Sequence, residues 1–309
     1  KEPVKYLSVR YSMPEELVAF FKKQADDTTV ESILAGFYKE KTTYIRCNTK
    51  KLTVEELKAH LLSENIQAEA VEGLPYALKI TGYDYLLACE SFQRGEFFVQ
   101  DISSMLAGEL ASPAPHDRII DVCAAPGGKT MYAAEQTGEQ GHVYARDISE
   151  EKVDKIDENL ERLELHNVST KVWDAAIPDP DMIEKADVVL ADLPCSGLGV
   201  MARKNDIKYH VTEDMVRELA AIQKTILDVC AAYVKPGGTL IYSTCTIDRI
   251  ENEENVTAFL KAHEEYELES LSDYMPECLK KRAEKGYITL LQGVDHCDGF
   301  FISRLRRRK

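Results

Sequence analysis

Asp121-Val-Cys-Ala-Ala-Pro-Gly-Gly-Lys-Thr130 is the stretch on which the fold of this 309-residue chain turns. The apolar run ahead of it, Ile119-Ile120-Asp121-Val122, predicts a buried strand. Pro126 fixes φ and Gly127-Gly128 opens backbone conformations closed to other residues, which makes a tight turn. A helix is expected from Thr130. Strand, glycine turn and helix N-terminus form a place where a nucleotide-like ligand meets bare backbone N–H groups. Two familiar loops fail here. A phosphate-binding Gly-x-x-x-x-Gly-Lys-Thr needs glycine where Cys123 stands, and Gly-x-Gly-x-x-Gly is not supplied. A glycine pair alone favours an ordinary structural turn; the rest of the chain argues for a binding site.

Working outward, strands are expected at 118–123, 141–147, 168–173, 187–192 and 239–244. Helices are expected at 130–137, 150–164, 213–234 and 251–263. This alternation is the pattern of a parallel sheet covered on both faces. Tyr287 to Leu291 and Gly299 to Leu305 predict an antiparallel hairpin on the sheet edge. Upstream, Phe97-Phe98-Val99-Gln100-Asp101 leads into a helix over Ile102 to Leu110. Residues 42–82 predict a small α+β module, with a capping box at Thr53-Val-Glu-Glu56 and a strand break at Gly73-Leu74-Pro75. Lys39, Lys41, Arg46, Lys50 and Lys51 give it a basic edge. Residues 1–40 predict helices, the first capped by Ser12 ahead of Pro14 and the second over Thr29 to Tyr38. A boundary between Gly82 and Gly95 gives two domains, 1–90 and 91–309.

Composition narrows the class. A net charge of −15 argues against a large unspecific nucleic-acid surface, so any such contact must use local basic patches. The tail Arg304, Arg306, Arg307, Arg308, Lys309 is one candidate for phosphate, or else a frayed, solvated end. None of the eight cysteines forms a Cys-x-x-Cys pair, and neither a zinc site nor any other metal is expected. No membrane span or signal peptide is visible, which with free thiols suggests a soluble cytoplasmic protein. The chain opens on Lys1, so a native N-terminal segment is expected to be missing.

Asp147 ends the second strand of the alternation, where an acid can accept both ribose hydroxyls of an adenosine; Asp174 ends the third, within reach of an adenine amino group. Each is otherwise a helix or turn cap. Asp192 ends the fourth strand, ahead of Leu193-Pro194-Cys195-Ser196-Gly197. The fifth ends Ser243-Thr244-Cys245-Thr246. Lone strand cysteines are usually small buried hydrophobes. Two at matched strand ends fall at the sheet edge that holds ligand in an open α/β fold.

These motifs, Asp-Val-Cys-Ala-Ala-Pro-Gly-Gly-Lys-Thr, Asp-Leu-Pro-Cys-Ser-Gly and Ser-Thr-Cys-Thr, resemble those of the Sun family of RNA 5-methylcytosine methyltransferases. The resemblance runs from about Tyr6 to the C-terminus and includes Cys297-Asp-Gly-Phe-Phe-Ile-Ser-Arg-Leu. Tyr11-Ser-Met-Pro-Glu and Arg46-Cys-Asn48 are most similar to the bacterial Sun/Fmu branch, also called RsmB, which acts on 16S ribosomal RNA. That branch carries an N-terminal helical domain similar to the NusB antiterminator, which this sequence lacks. Cys47 stands where Val is usual, and Ala202-Arg203-Lys204 replaces a more basic run.

The resemblance implies a class I methyltransferase with a Rossmann-like, mostly parallel sheet, preceded by a small helical and α+β RNA-binding domain. It implies Cys245 as nucleophile, Cys195 as the thiol that assists release and Asp192 as the acid at cytosine N3. S-adenosylmethionine is then expected on Cys123, Ala124, Ala125, Pro126, Gly127, Gly128, Lys129, Asp147, Asp174 and Asp192. Cytosine C5 is too poor a nucleophile to accept a methyl group until a thiolate adds at C6. A free thiol, of pKa about 8.5, is only a few per cent ionised near neutrality, so the cofactor's positive charge, or Arg203 or Lys204, is expected to raise that fraction. DNA cytosine methyltransferases use the Pro-Cys thiol, which here is Cys195. The partner is then RNA, 16S rRNA or an assembling small subunit, bound by a monomer with modest, salt-sensitive affinity, the flanking strand on the 42–82 module. The alternatives are methylation of tRNA or another rRNA, of a protein or small molecule, and an inactive RNA-binding or assembly module.

Overall fold

The computed structural model describes residues 2–39 and 41–309. Three helices open the chain: α1 (Pro3–Arg10), α2 (Glu15–Gln24) and α3 (Asp27–Gly36). Their apolar faces, with Leu17, Val18, Phe21, Val30 and Leu34, share one cluster with Leu198, Met201, Ala202 and Val216 from the catalytic half. The expected cap at Ser12 does not form. The chain reverses there between α1 and α2, so Ser12 takes a left-handed φ of +44° and Pro14 becomes the residue ahead of α2. Asp26 caps α3 instead, accepting from the Thr28 and Thr29 N–H groups at 3.0 Å.

A small antiparallel sheet follows, built from β1 (Thr43–Cys47), β2 (Gln67–Val71), β3 (Leu74–Thr81) and β4 (Phe97–Val99) in the order β2-β3-β1-β4. Helices α4 (Val54–Ser63) and α5 (Glu90–Gln93) connect its strands. The capping box forms at α4: Glu56 N–H donates to Thr53 Oγ1 at 3.2 Å and Thr53 N–H to the Glu56 carboxylate at 2.7 Å. The basic edge is not all surface. Arg46 is 1% exposed and ion-paired with Glu135, itself 2% exposed, in the other half of the chain. Lys51 bonds Arg94 O at 2.7 Å and Glu164 at 2.8 Å. These two residues dock the module rather than face solvent.

The larger sheet carries α6 (Ile102–Ala111), β5 (Arg118–Asp121), α7 (Gly128–Thr137), β6 (His142–Asp147), α8 (Glu150–Leu163), β7 (Val168–Val172) and β8 (Ala186–Asp192). Then come α9 (Ile207–His210), α10 (Glu213–Tyr233), β9 (Val234–Thr244), α11 (Glu253–Ala262), β10 (Tyr266–Leu268), α12 (Lys280–Ala283), β11 (Tyr287–Leu290) and β12 (Phe300–Arg307). The strand order is β10-β12-β9-β8-β5-β6-β7, with β11 also on β12; the run from β9 to β7 is parallel. Ile119, Ile120, Val189 and Leu190 are at most 1% exposed, as parallel strands covered on both faces require. From β5 the chain winds out to β6 and β7, then returns to β8 on β5's other side. That reversal leaves a crevice beyond the carboxyl ends of β5 and β8.

The late hairpin forms on the sheet edge as expected, with β11 outermost and β12 one strand in. β12 pairs antiparallel with β9 on one side and with β11 and β10, end to end, on the other. Phe300 to Leu305 are all buried, and a buried strand must satisfy the hydrogen bonds on both its sides. β10, of three residues, is too short for its period to be legible. The basic tail is held in the sheet through Arg307, whereas Arg308 and Lys309 are exposed. Arg304 bonds Leu110 O and Glu269, Arg306 bonds Thr239 Oγ1 at 3.0 Å, Arg307 bonds Glu184 at 2.7 Å and Arg308 bonds Glu267 at 2.9 Å. Among the described residues no helix is long and apolar enough to cross a membrane.

Candidate active site

The loop after β5 begins as sheet. Val122 N–H reaches Leu190 O at 3.1 Å and Ala124 N–H reaches Arg146 O at 2.8 Å, so the segment is held from both neighbouring strands. Ala125–Pro126 is cis, and Gly127, at φ +105°, turns the chain into α7. A Cβ on Gly128 would lie 3.2 Å from Phe98 and Gln100, so the start of α7 is closely backed by β4 and the segment after it. A cleft of about 220 Å³ opens here, lined by Asp101, Asp121, Cys123 to Pro126, Gly128, Lys129, Asp192 and Phe300. First-turn N–H groups of a helix suit an electronegative ligand.

Asp121 floors the cleft. Thr130 Oγ1 donates to its Oδ2 at 2.7 Å, while Oδ1 has no partner among the described residues. Burial pushes this carboxyl up to about 7. Burial likewise drives the Cys123 thiol far above its ordinary range, which keeps it unreactive. Asp147 accepts from Ala125 N–H at 2.9 Å, Ile148 N–H at 2.8 Å and Lys152 at 3.0 Å, tying the glycine turn to β6. Asp174 is exposed and accepts from Ala176 N–H at 2.9 Å in a turn after β7. The two acids thus differ: one touches the loop, and the other stands apart from it. A cleft with an unpaired buried acceptor and a helix N-terminus at its wall fits an adenosine-type cofactor.

Across the crevice, Lys129 Nζ lies 2.6 Å from Asp192 Oδ2 and 3.0 Å from Ser104 Oγ, and Ser243 Oγ donates to Asp192 Oδ1 at 2.8 Å. The β8–β9 register puts Asp192 opposite Ser243. Lys129 also sits 5.3 Å above the Phe300 ring. The sequence reading gave Lys129 to the cofactor; the structure pairs it with the candidate acid.

Neighbouring strands bring the two thiols together: Cys195 Sγ and Cys245 Sγ are 3.2 Å apart and unbridged. A buried polar net holds their loops. Ser196 N–H donates to Glu251 at 2.9 Å, Ser196 Oγ meets Thr246 Oγ1 at 2.8 Å, and Gln223 Nε2 donates to Glu251 and to Pro194 O, each at 2.9 Å. Gly199 N–H donates to Cys245 O at 3.0 Å and Gly299 N–H to Gly199 O at 2.9 Å. A Cβ on Gly199 would lie 2.0 Å from Gly299 O, so only glycine permits this approach. The bond to Cys245, and then burial, raise the Cys195 thiol well above its ordinary range. The two sulfurs are within hydrogen-bond distance, and either can be the donor.

The expectation that Arg203 assists ionisation does not hold. Its guanidinium is engaged by Asp298 at 2.6 Å, Asp101 at 3.2 Å and Thr42 O at 3.2 Å; Lys204 is exposed. Sequence reasoning passed over Glu251, Gln223 and Phe300. Phe300 was within reach, since it lies in the Cys297–Leu305 motif. Nothing in the sequence marks Glu251 as the hub of the loops.

Residues 109–306 match the family model described as 16S rRNA methyltransferase RsmB/F. The chain is 34% identical over 305 residues to the probable ribosomal RNA small subunit methyltransferase B of Synechocystis sp., covering 97% of this chain and 68% of that protein. It is 35% identical over 310 residues to the Bacillus subtilis protein of the same description, covering 100% and 69%. Among solved structures, the crystal structure of PH0851 superposes with a TM-score of 0.91 at 31% identity, over 100% of this chain and 69% of that one.

Proposed function

Since this chain belongs to the family of 16S rRNA methyltransferases RsmB/F, we propose that it methylates cytosine C5 of 16S rRNA through a covalent bond between Cys245 and ring carbon C6. The observation that carries this reading is the thiol pair, 3.2 Å apart, at matched strand ends beside the Lys129–Asp192 pair. S-adenosylmethionine, when bound, supplies an electrophilic methyl group. The loop Cys123 to Lys129 holds it, with Asp147 on the ribose, where a hydroxyl replaces the half-exposed Lys152, and Asp174 on the adenine amino group.

Cys245 adds to C6, which makes C5 an enamine carbon able to take the methyl group. As the sulfur adds, the Cys245 thiol proton passes to N3, where the Asp192 carboxylate accepts the N3–H bond and the Lys129 ammonium balances the carboxylate's charge. Loss of the C5 proton to solvent then restores the double bond and breaks the sulfur–C6 bond. Cys195, in hydrogen-bond contact with Cys245, gives a proton to the departing sulfur and is reprotonated by the proton that leaves N3. The target base must be unpaired or flipped to enter the crevice.

The test replaces each thiol by Ser and incubates the variants with 16S rRNA and S-adenosylmethionine. Cys195→Ser accumulates a covalent RNA adduct on denaturing gels, and Cys245→Ser forms none. The reverse pattern assigns attack to Cys195. Methyl transfer that survives Cys245→Ser points to a non-cytosine substrate. Bisulfite sequencing of rRNA and tRNA from cells with and without the gene identifies the RNA; loss at a tRNA site keeps the mechanism and changes the substrate.

A further inference from the structure

We infer that the single strand flanking the target base lies in a groove between the N-terminal helices and α9, its bases stacked on Tyr38 and Tyr209 and its phosphates met by Lys39, Lys41 and Lys208. This rests on the RNA methylation proposed above, and it moves the flanking-strand site off the 42–82 module.

The groove holds about 530 Å³, within the range of roughly 300–1,000 Å³ typical of small-molecule sites. Tyr38 is 57% exposed and Tyr209 69%, so two large rings stand in water on its walls. Lys208 lies 5.1 Å over the Tyr209 ring, with Nζ 3.0 Å from Ser12 O, and Lys39 Nζ is 3.2 Å from Gly293 O. Among the described residues, neither ammonium has a carboxylate partner. Exposed rings interleaved with cations suit single strands, because a base offers its face only when unpaired.

The groove also leads to the chemistry. Lys39 and Lys41 line it and equally line a smaller cavity of about 120 Å³, which includes Asp101; Asp101 in turn lines the cleft beside Asp192. Of the acids in this passage, Asp101 and Asp298 share Arg203, and Asp295 pairs with Arg282. The groove floor, Met201 and Ala202, begins two residues past Gly199, whose N–H holds the Cys245 carbonyl. A strand whose base reaches Cys245 has this trough beside it. By contrast Arg46 and Lys51 of the module are engaged inside the protein.

The experiment measures methylation of a 16S rRNA transcript, and binding of a fluorescent single-stranded oligonucleotide cut from it, by the full chain. Tyr209→Ala should raise KM and the oligonucleotide Kd about tenfold, and Tyr38→Ala with Tyr209→Ala about a hundredfold. Tyr209→Phe, which keeps the ring, restores wild-type values, and S-adenosylmethionine affinity and melting temperature stay put in all three. Lys39→Gln with Lys208→Gln lowers the slope of log Kd against log salt by about 1 to 2. Unchanged KM and Kd in the double Tyr variant, in an enzyme that methylates the transcript, overturn the inference. So does a defect confined to assembling subunits, which gives the groove to a protein. If wild type methylates no RNA but the oligonucleotide still binds through Tyr38 and Tyr209, the methylation reading fails and the groove stands.

Discussion

The crevice beyond β5 and β8 and the trough leading to it differ in how their charges are held. In the crevice polar groups hold fixed partners: Lys129 with Asp192, Asp147 with two N–H groups and Lys152, Cys195 with Cys245. In the trough Lys39 and Lys208 touch single carbonyls and the tyrosine rings stand in solvent. A partnered, buried group cannot be altered without stranding its neighbour, whereas solvated groups act additively. The crevice should therefore respond to substitution in an all-or-none way and the trough in small steps.

The sharpest break of that contrast is Asp192→Asn. It leaves Lys129 without its counter-charge and N3 without an acceptor, so kcat should fall by about 10²- to 10⁴-fold, read in single-turnover assays, with S-adenosylmethionine affinity little changed. Near-normal turnover would remove Asp192 from the chemistry. Next comes the docking pair. Arg46→Met strands a buried Glu135 carboxylate and should cost about 3–5 kcal/mol in urea unfolding, while Lys39→Met, on the trough, stays within about 0.5 kcal/mol. Equal effects at the two sites would show the distinction between partnered and solvated cations to be wrong.

A third test uses pH. The Asp121 carboxyl, pushed up to about 7 by burial, binds its proton more tightly in the folded chain. Its contribution is full below the unfolded pKa of about 4 and fades as pH rises through 7. Asn carries no such loss, so the stability of Asp121→Asn relative to wild type should grow by about 2–3 kcal/mol between pH 5 and 7. A flat difference in parallel melts would mean that the carboxyl is not held protonated. The smallest effect belongs to the trough: Lys208→Gln alone should lower the salt slope of RNA binding by about 1 and raise Kd only a few fold at low salt.

Local pattern made much of this legible. Strands β5, β6, β8 and β9 of the parallel run each have an uninterrupted apolar stretch, the edge strand β7 does not, and Thr53 and Glu56 carry their helix start within four residues. The thiols were legible for a related reason: matched strand ends in a parallel sheet share one edge. Arg46 and Arg304 were misjudged because charge in a sequence does not reveal its partner. Glu135 is 89 residues from Arg46 and Glu269 35 residues from Arg304. The hairpin itself was legible, but the two-sided pairing of β12 was not, since it depends on strands far apart in the chain.

By itself, then, the sequence determined the strand, turn and helix of 118–137, the alternation that makes a parallel sheet, and the two cysteine motifs. These depend on backbone preference and period, which act over a few residues. Only the tertiary structure decided that Lys129 meets Asp192, that Glu251 anchors the loop of Cys195 beside Cys245, that Arg304 of the tail is buried, and that Tyr38 and Tyr209 line one groove. Each of these needs groups tens to hundreds of residues apart to be desolvated against one another, and local sequence carries no record of such meetings.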